Sequence, residues 1–107
     1  MKITLTPMRR DDRLTLWRDG DVLTVNGESL DFGPLKEGAL LPRDAVDCAW
    51  IASDVERRGG EICLALILPH GADAPVQTRH PAPLHLTEDG PVALPPYELT
   101  GADHVED

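Results

Sequence analysis

The chain has 107 residues, of which 10 are basic and 19 acidic, giving a formal net charge of −9, and only 4% are aromatic. That length holds one domain with one modest core, and that charge excludes non-specific binding to nucleic acid or to an anionic membrane as a default activity. The aromatic residues Trp17, Phe32, Trp50 and Tyr97 are too few to fill a core and also form a stacking platform for single-stranded nucleic acid.

Residues 1–6 alternate Ile3 and Leu5 with polar side chains and meet Pro7, a pattern that predicts a half-buried strand ending at the proline. Residues 13–18, 22–26 and 28–32 follow as three short strand-like runs. They are separated by Asp19-Gly20 and Asn26-Gly27, dipeptides that tolerate the left-handed turn conformation, so the three runs predict a meander. Leu14 and Leu16 share one face of the first run, opposite Thr15 and Trp17. Residues 33–43 are broken by Pro34, Gly38 and Pro42 and read as a connection; residues 44–49 suit one helical turn with Asp44 as its cap.

Residues 50–68 (WIASDVERRGGEICLALIL) predict the central hairpin, turning at Gly59-Gly60. If Arg58 and Glu61 close the turn, Val55 faces Leu64, Ser53 faces Leu66 and Ile51 faces Leu68. The second arm is apolar on both faces, as a strand with neighbours on both sides and cover above and below would be. The first arm carries Asp54 and Glu56, lies nearer solvent and is the first candidate for an edge strand able to pair with a second copy. Residues 69–83 contain four prolines and no periodicity, longer than most connections in compact domains, so this loop is either functional or mobile. Residues 84–87 and 91–94 flank a turn at Glu88-Asp89-Gly90. The organisation expected is a single β domain at 1–97 followed by an acidic tail at 98–107.

The fold expected is mostly β, a small antiparallel sandwich or open barrel built from hairpins and meanders, with at most one short helix. The alternative is α+β: Trp50, Ile51, Asp54 and Val55 stand at near-helical spacing, so a helix over residues 44–57 competes with the strand.

Chemistry-bearing residues form no catalytic signature. Cys48 and Cys63 fit neither a CxxC redox motif nor a zinc cluster, and Cys63 reads as a small core hydrophobe in the central strand. Ser29 and Ser53 lie in strands without a nucleophile elbow, and no glycine-rich phosphate loop is present. His70, Asp73 and His80 share the long loop without a compact ligand spacing, so neither metal nor cofactor is expected. The binding candidates are His70, Arg79 and His80. Arginine takes carboxylates bidentately and protonated histidine can join it; the competing reading has Arg79 tie the loop to a local acid. Charge is uneven: residues 1–20 hold five basic and three acidic side chains, whereas residues 81–107 hold six acidic ones and no lysine or arginine. No leader or membrane-length apolar run opens the chain, which predicts a cytoplasmic or virion-associated protein.

The sequences at Leu68-Pro69-His70-Gly71, Ala74-Pro75, Thr78-Arg79, Pro81, Asp89-Gly90-Pro91-Val92 and Leu94-Pro95-Pro96-Tyr97 resemble those of a group of small uncharacterised proteins encoded in prophage-like tail regions of proteobacteria. The opening residues 1–7 and Arg10-Asp11-Asp12 are similar to that group as well. The resemblance implies a setting and a protein partner such as a phage-tail component; it implies no activity and no functional residue. Three functions follow as expectations: a non-enzymatic interaction module, an acidic decoy for a basic protein surface, and a small-ligand enzyme with residues 69–83 as a lid over His70, Arg79 and His80.

Overall fold

The computed structural model describes residues 1–97; the acidic tail expected at 98–107 lies outside the described residues. The chain forms two sheets facing each other across one core. It runs through β1 (Lys2–Arg9), β2 (Leu16–Asp19), β3 (Val22–Val25), β4 (Glu28–Asp31), β5 (Leu40–Leu41), β6 (Val55–Arg58) and β7 (Glu61–His70). A single helical turn α1 (Val76–Arg79) precedes β8 (Leu84–His85) and β9 (Gly90–Pro91). The strand orders are β5-β6-β7-β1-β8 and β4-β3-β2-β9. The expected mostly-β fold with a short helix is the fold observed.

The meander forms where its turns place it. Asn26 and Gly27 have φ of 50° and 85°, as a two-residue turn with both residues left-handed requires, and Val25 pairs with Glu28 across it. In the preceding turn the loop residues are Gly20 and Asp21, because Asp19 still pairs with Val22. Asn26 extends the ladder by one rung: its Oδ1 accepts from Thr15 N at 2.7 Å and its Nδ2 donates to the Arg13 carbonyl at 3.1 Å. Leu16, Leu23 and Val25 face inward, while Trp17 is about half exposed on the outer side.

Strand β7 is central, with β6 antiparallel on one side and β1 parallel on the other. The parallel pair is the departure from a fold built of hairpins alone. Ile3 and Leu5 lie beside Leu64 and Leu66 on the core face, all buried. β1 also continues past Pro7 to Arg9. β8 covers only Lys2 and Ile3 of β1, so beyond Ile3 that side has no neighbouring strand among the described residues, and a proline there removes no ladder bond between them.

The central hairpin keeps its expected register only near the turn. Gly59 and Gly60 both have positive φ, and Arg58, Arg57 and Glu56 oppose Glu61, Ile62 and Cys63. Further on, Ile51 bridges to Leu66 rather than Leu68, so the first arm contains two more residues than the second between these pairs. The excess forms a bulge. Within it the Ser53 hydroxyl replaces a main-chain acceptor, taking the Ala65 N–H at 2.9 Å while donating to the Asp54 carbonyl at 2.8 Å. No helix forms over residues 44–57. Ile51 and Val55 are both buried in the core, an i, i+4 pair that an extended strand places on one face as a helix would. The one helical turn nearby is 3-10, Arg43–Ala45, capped by Pro42, with Asp44 inside it making no cap bond. Nor is the first arm an edge: β5 pairs Leu40 with Glu56 and Leu41 with Val55.

Arg57 ties the sheets and the connection together. Its guanidinium donates to the carbonyls of Leu35 (2.6 Å), Phe32 (3.2 Å) and Gly60 (3.0 Å) and to Asp21 Oδ2 (2.9 Å). Glu37 accepts the Gly59 and Gly60 N–H groups at 2.7 and 2.6 Å, so the 33–39 connection is bound to the hairpin turn at two places. Replacing Arg57 with alanine removes the donor from the Leu35 and Gly60 carbonyls, while the Phe32 carbonyl keeps the Leu35 N–H at 3.1 Å, and should lower the unfolding free energy by about 1–3 kcal/mol in urea titration. Asp21→Asn should lower it by less than about 1 kcal/mol, because the Asp21 carboxylate is more than a third exposed.

Candidate functional site

The three residues singled out from the sequence do not converge on one another. His70 ends β7, half-buried, with Nδ1 2.9 Å from the Gly71 carbonyl. Arg79 and His80 are both exposed at the end of α1. Arg79 Nε donates to the Ala74 carbonyl at 3.2 Å, so it does tie the loop, with a backbone oxygen as partner in place of an acid. The loop is held against the last described residues. Thr78 is fully buried and donates to the Pro96 carbonyl at 2.6 Å, while Gly71 N donates to the Tyr97 carbonyl at 2.9 Å. Pro75 starts α1, and the N–H groups of Thr78 and Arg79 both bond to its carbonyl.

A second group was not legible from spacing. Glu61 Oε2 accepts from the N-terminal ammonium at 3.2 Å and lies 2.6 Å from His85 Nε2. The ammonium also donates to the Leu86 carbonyl at 2.9 Å, and Leu86 N donates back to the Met1 carbonyl at 2.7 Å. Glu61 and His85 are separated by 24 residues and meet only because β7 and β8 flank β1. Cys63 is on the same side of the sheet, but its thiol is directed to the Glu61 carbonyl at 3.6 Å and no histidine bonds to it. The arrangement is an ion cluster, with no nucleophile and base in contact. Among the described residues, no group of three or more His, Cys, Asp or Glu side chains is placed to hold a metal ion.

The largest uncovered feature is the outer face of the five-stranded sheet. Lys2, Thr4, Thr6 and Met8 of β1 are exposed there beside half-buried Cys63, Ala65 and Ile67 of β7. Exposed Leu40 borders one side, with Glu56 and Arg58 ion-paired at 2.6 Å nearby. Two shallow troughs of about 610 Å3 each run over this face, one lined by Lys2, Thr4, Leu40 and Cys63, the other by Thr6, Met8, Val46 and Ile67. Charged side chains border both troughs, Lys2, Glu56 and Arg58 the first and Arg43, Asp44 and Asp47 the second. The apolar alternation on both sides of β7 predicts cover above and below, but the described residues cover only the inner side.

Comparison with known protein families, curated proteins and solved structures gives no match. Among the described residues, no helix is long and apolar enough to cross a membrane.

The N-terminal ammonium bonded to Glu61 holds its carboxyl below the ordinary value of 4.5; burial opposes this, and His85 adds to the lowering. A carboxyl lowered by folding stabilises the protein above its ordinary pKa, and that stabilisation fades as pH falls through the folded value. Urea unfolding of the parent and of Glu61→Gln should therefore differ most near neutral pH and converge on acidification below 4.5. A constant difference across that range would mean that the Glu61 charge makes no contribution.

Proposed function

We propose that this protein is a non-enzymatic interaction module that presents the outer face of its five-stranded sheet to a protein partner. One observation carries the reading: among the described residues no second layer lies over the outer side of β1 and β7, where Cys63, Ala65 and Ile67 are half-buried and Met8 is exposed. Apolar side chains left open on a sheet face, with exposed Leu40 bordering its other end, are the kind of surface that marks a protein contact. The resemblance to proteins of prophage-like tail regions makes a tail component the first partner to test. Sheet edges are a second route to pairing between copies: β5, β8 and β9 span two residues each, and the longer free backbone is at β4 (Glu28–Asp31) and along β1 beyond Ile3.

The other two readings find less support. An acidic decoy needs carboxylates arrayed over one face, whereas Asp31, Glu37, Asp54 and Asp89 each accept a backbone N–H in a separate turn or connection. An enzyme using residues 69–83 as a lid needs His70, Arg79 and His80 aimed at a common point, whereas the side chains of His70 and Arg79 bond to the local carbonyls of Gly71 and Ala74.

The test is affinity capture of tail components by the tagged protein, repeated with Met8→Glu/Leu40→Glu. Both side chains are exposed, so the double variant should stay within about 0.5 kcal/mol per site of the parent in stability. Recovery of the partner should fall by at least about tenfold. Arg79→Ala should leave it unchanged. Equal recovery by the parent and the double variant would sink the assignment of this face.

A further inference from the structure

A separate cleft of about 300 Å3 opens where the start of the long loop meets the last described residues. Its walls are apolar, formed by Leu14, Leu68, Pro69, Leu94 and Pro95, and its polar lining comes from Arg13, Thr15 and Tyr97. We infer that this cleft binds a carboxylate carried on a short apolar chain, with the Arg13 guanidinium as the anion-binding group.

Arg13 is mounted at both ends. Its guanidinium carbon lies 3.7 Å from the centroid of the Tyr97 ring. That ring is itself fixed, because the Tyr97 hydroxyl donates to the Arg10 carbonyl and the Tyr97 carbonyl accepts from Gly71 N. The backbone on either side of Leu14 is fixed by Asn26, which receives the Thr15 N–H and donates to the Arg13 carbonyl. Stacking on an aromatic ring occupies a face of a guanidinium and leaves its N–H edge, which lies in the plane, available for a bidentate acceptor.

Nothing among the described residues uses that edge. Arg10, Arg18, Arg43, Arg57 and Arg58 each have a carboxylate within the 4.0 Å of an ion pair, and Arg79 bonds a carbonyl. Arg13 has neither, although Asp12 is next to it in sequence, because the Asp12 carboxylate is taken by Arg10 at 2.9 Å. Arg9 also has no such partner, but it does not line the cleft. A single held cation beside apolar walls selects a singly charged acid with an apolar body over a multiply charged, fully hydrated anion such as phosphate. The volume is at the lower end of small-ligand sites. The ligand is therefore either a small free acid or the carboxylate end of a peptide with an apolar last residue.

The experiment is a titration of the full chain with hexanoate, followed by the backbone amide NMR shifts of Leu14, Thr15 and Tyr97. Saturable shifts with a dissociation constant on the order of 1 mM are expected for a ligand this small. Hexanol, inorganic phosphate and the Arg13→Gln variant should each weaken binding by at least about tenfold, while Arg13→Lys retains part of it. Arg13 is exposed, so unchanged amide spectra of the free variants will establish that they fold. Short peptides ending in leucine, with a free or an amidated terminus, separate the two sources: tighter binding of the free-terminus peptide than of hexanoate identifies a chain end, and the reverse identifies a small acid. Absence of saturable shifts, equal binding of hexanol, equal binding of phosphate or unchanged affinity in Arg13→Gln would each overturn the inference.

Discussion

The parallel ladder between β1 and β7 is the constraint on which the rest of the molecule depends. Eight successive pairs, from Lys2 with Cys63 to Arg9 with His70, join the opening strand to one some sixty residues later. Everything between them must leave the five-stranded sheet and return to it. The chain does so by building the meander as the second layer and coming back through β5 and β6. Such non-local pairing carries a loop-closure cost before any contact rewards it, which predicts slower folding than a hairpin stack of the same length would show.

Polar groups then fix what the ladder brings close. The Arg57 guanidinium ties the β6–β7 hairpin, the 33–39 connection and the meander through the carbonyls of Gly60, Leu35 and Phe32 and the Asp21 carboxylate. Carboxylates elsewhere take the N–H groups of turns: Glu37 at Gly59 and Gly60, Asp89 at Gly20, Asp31 at Gly33. Much of the acidity that the composition presents as a net charge of −9 therefore acts locally, as turn and connection caps. The last two strands contribute one to each layer: β8 lies beside β1, β9 lies beside β2, and Val92 N donates to the Leu16 carbonyl at 3.0 Å.

The two candidate surfaces occupy different parts of this frame and call on different physics. The outer sheet face is broad and shallow, suited to a macromolecule. The Arg13 cleft is small and apolar with one held cation, suited to a carboxylate. Neither coincides with His70, Arg79 and His80. The loop that made those three conspicuous is fastened to the last described residues, with its own Thr78 buried and bonded to the Pro96 carbonyl.

The sequence by itself determined the local elements: the meander from Asn26-Gly27 and its neighbours, the hairpin from Gly59-Gly60, the inward Ile3 and Leu5, and the central position of β7 from its apolar run. These rest on backbone conformation and side-chain alternation, which operate over a few residues. The tertiary structure alone decided the parallel direction of β1, the two-residue bulge absorbed by Ser53, and the cover that β5 gives to β6. It also decided the meetings of Glu61 with His85 and of Arg13 with Tyr97. Each of these depends on which distant segment arrives alongside and which hydrogen-bonding group it leaves unpaired, information that no local pattern contains.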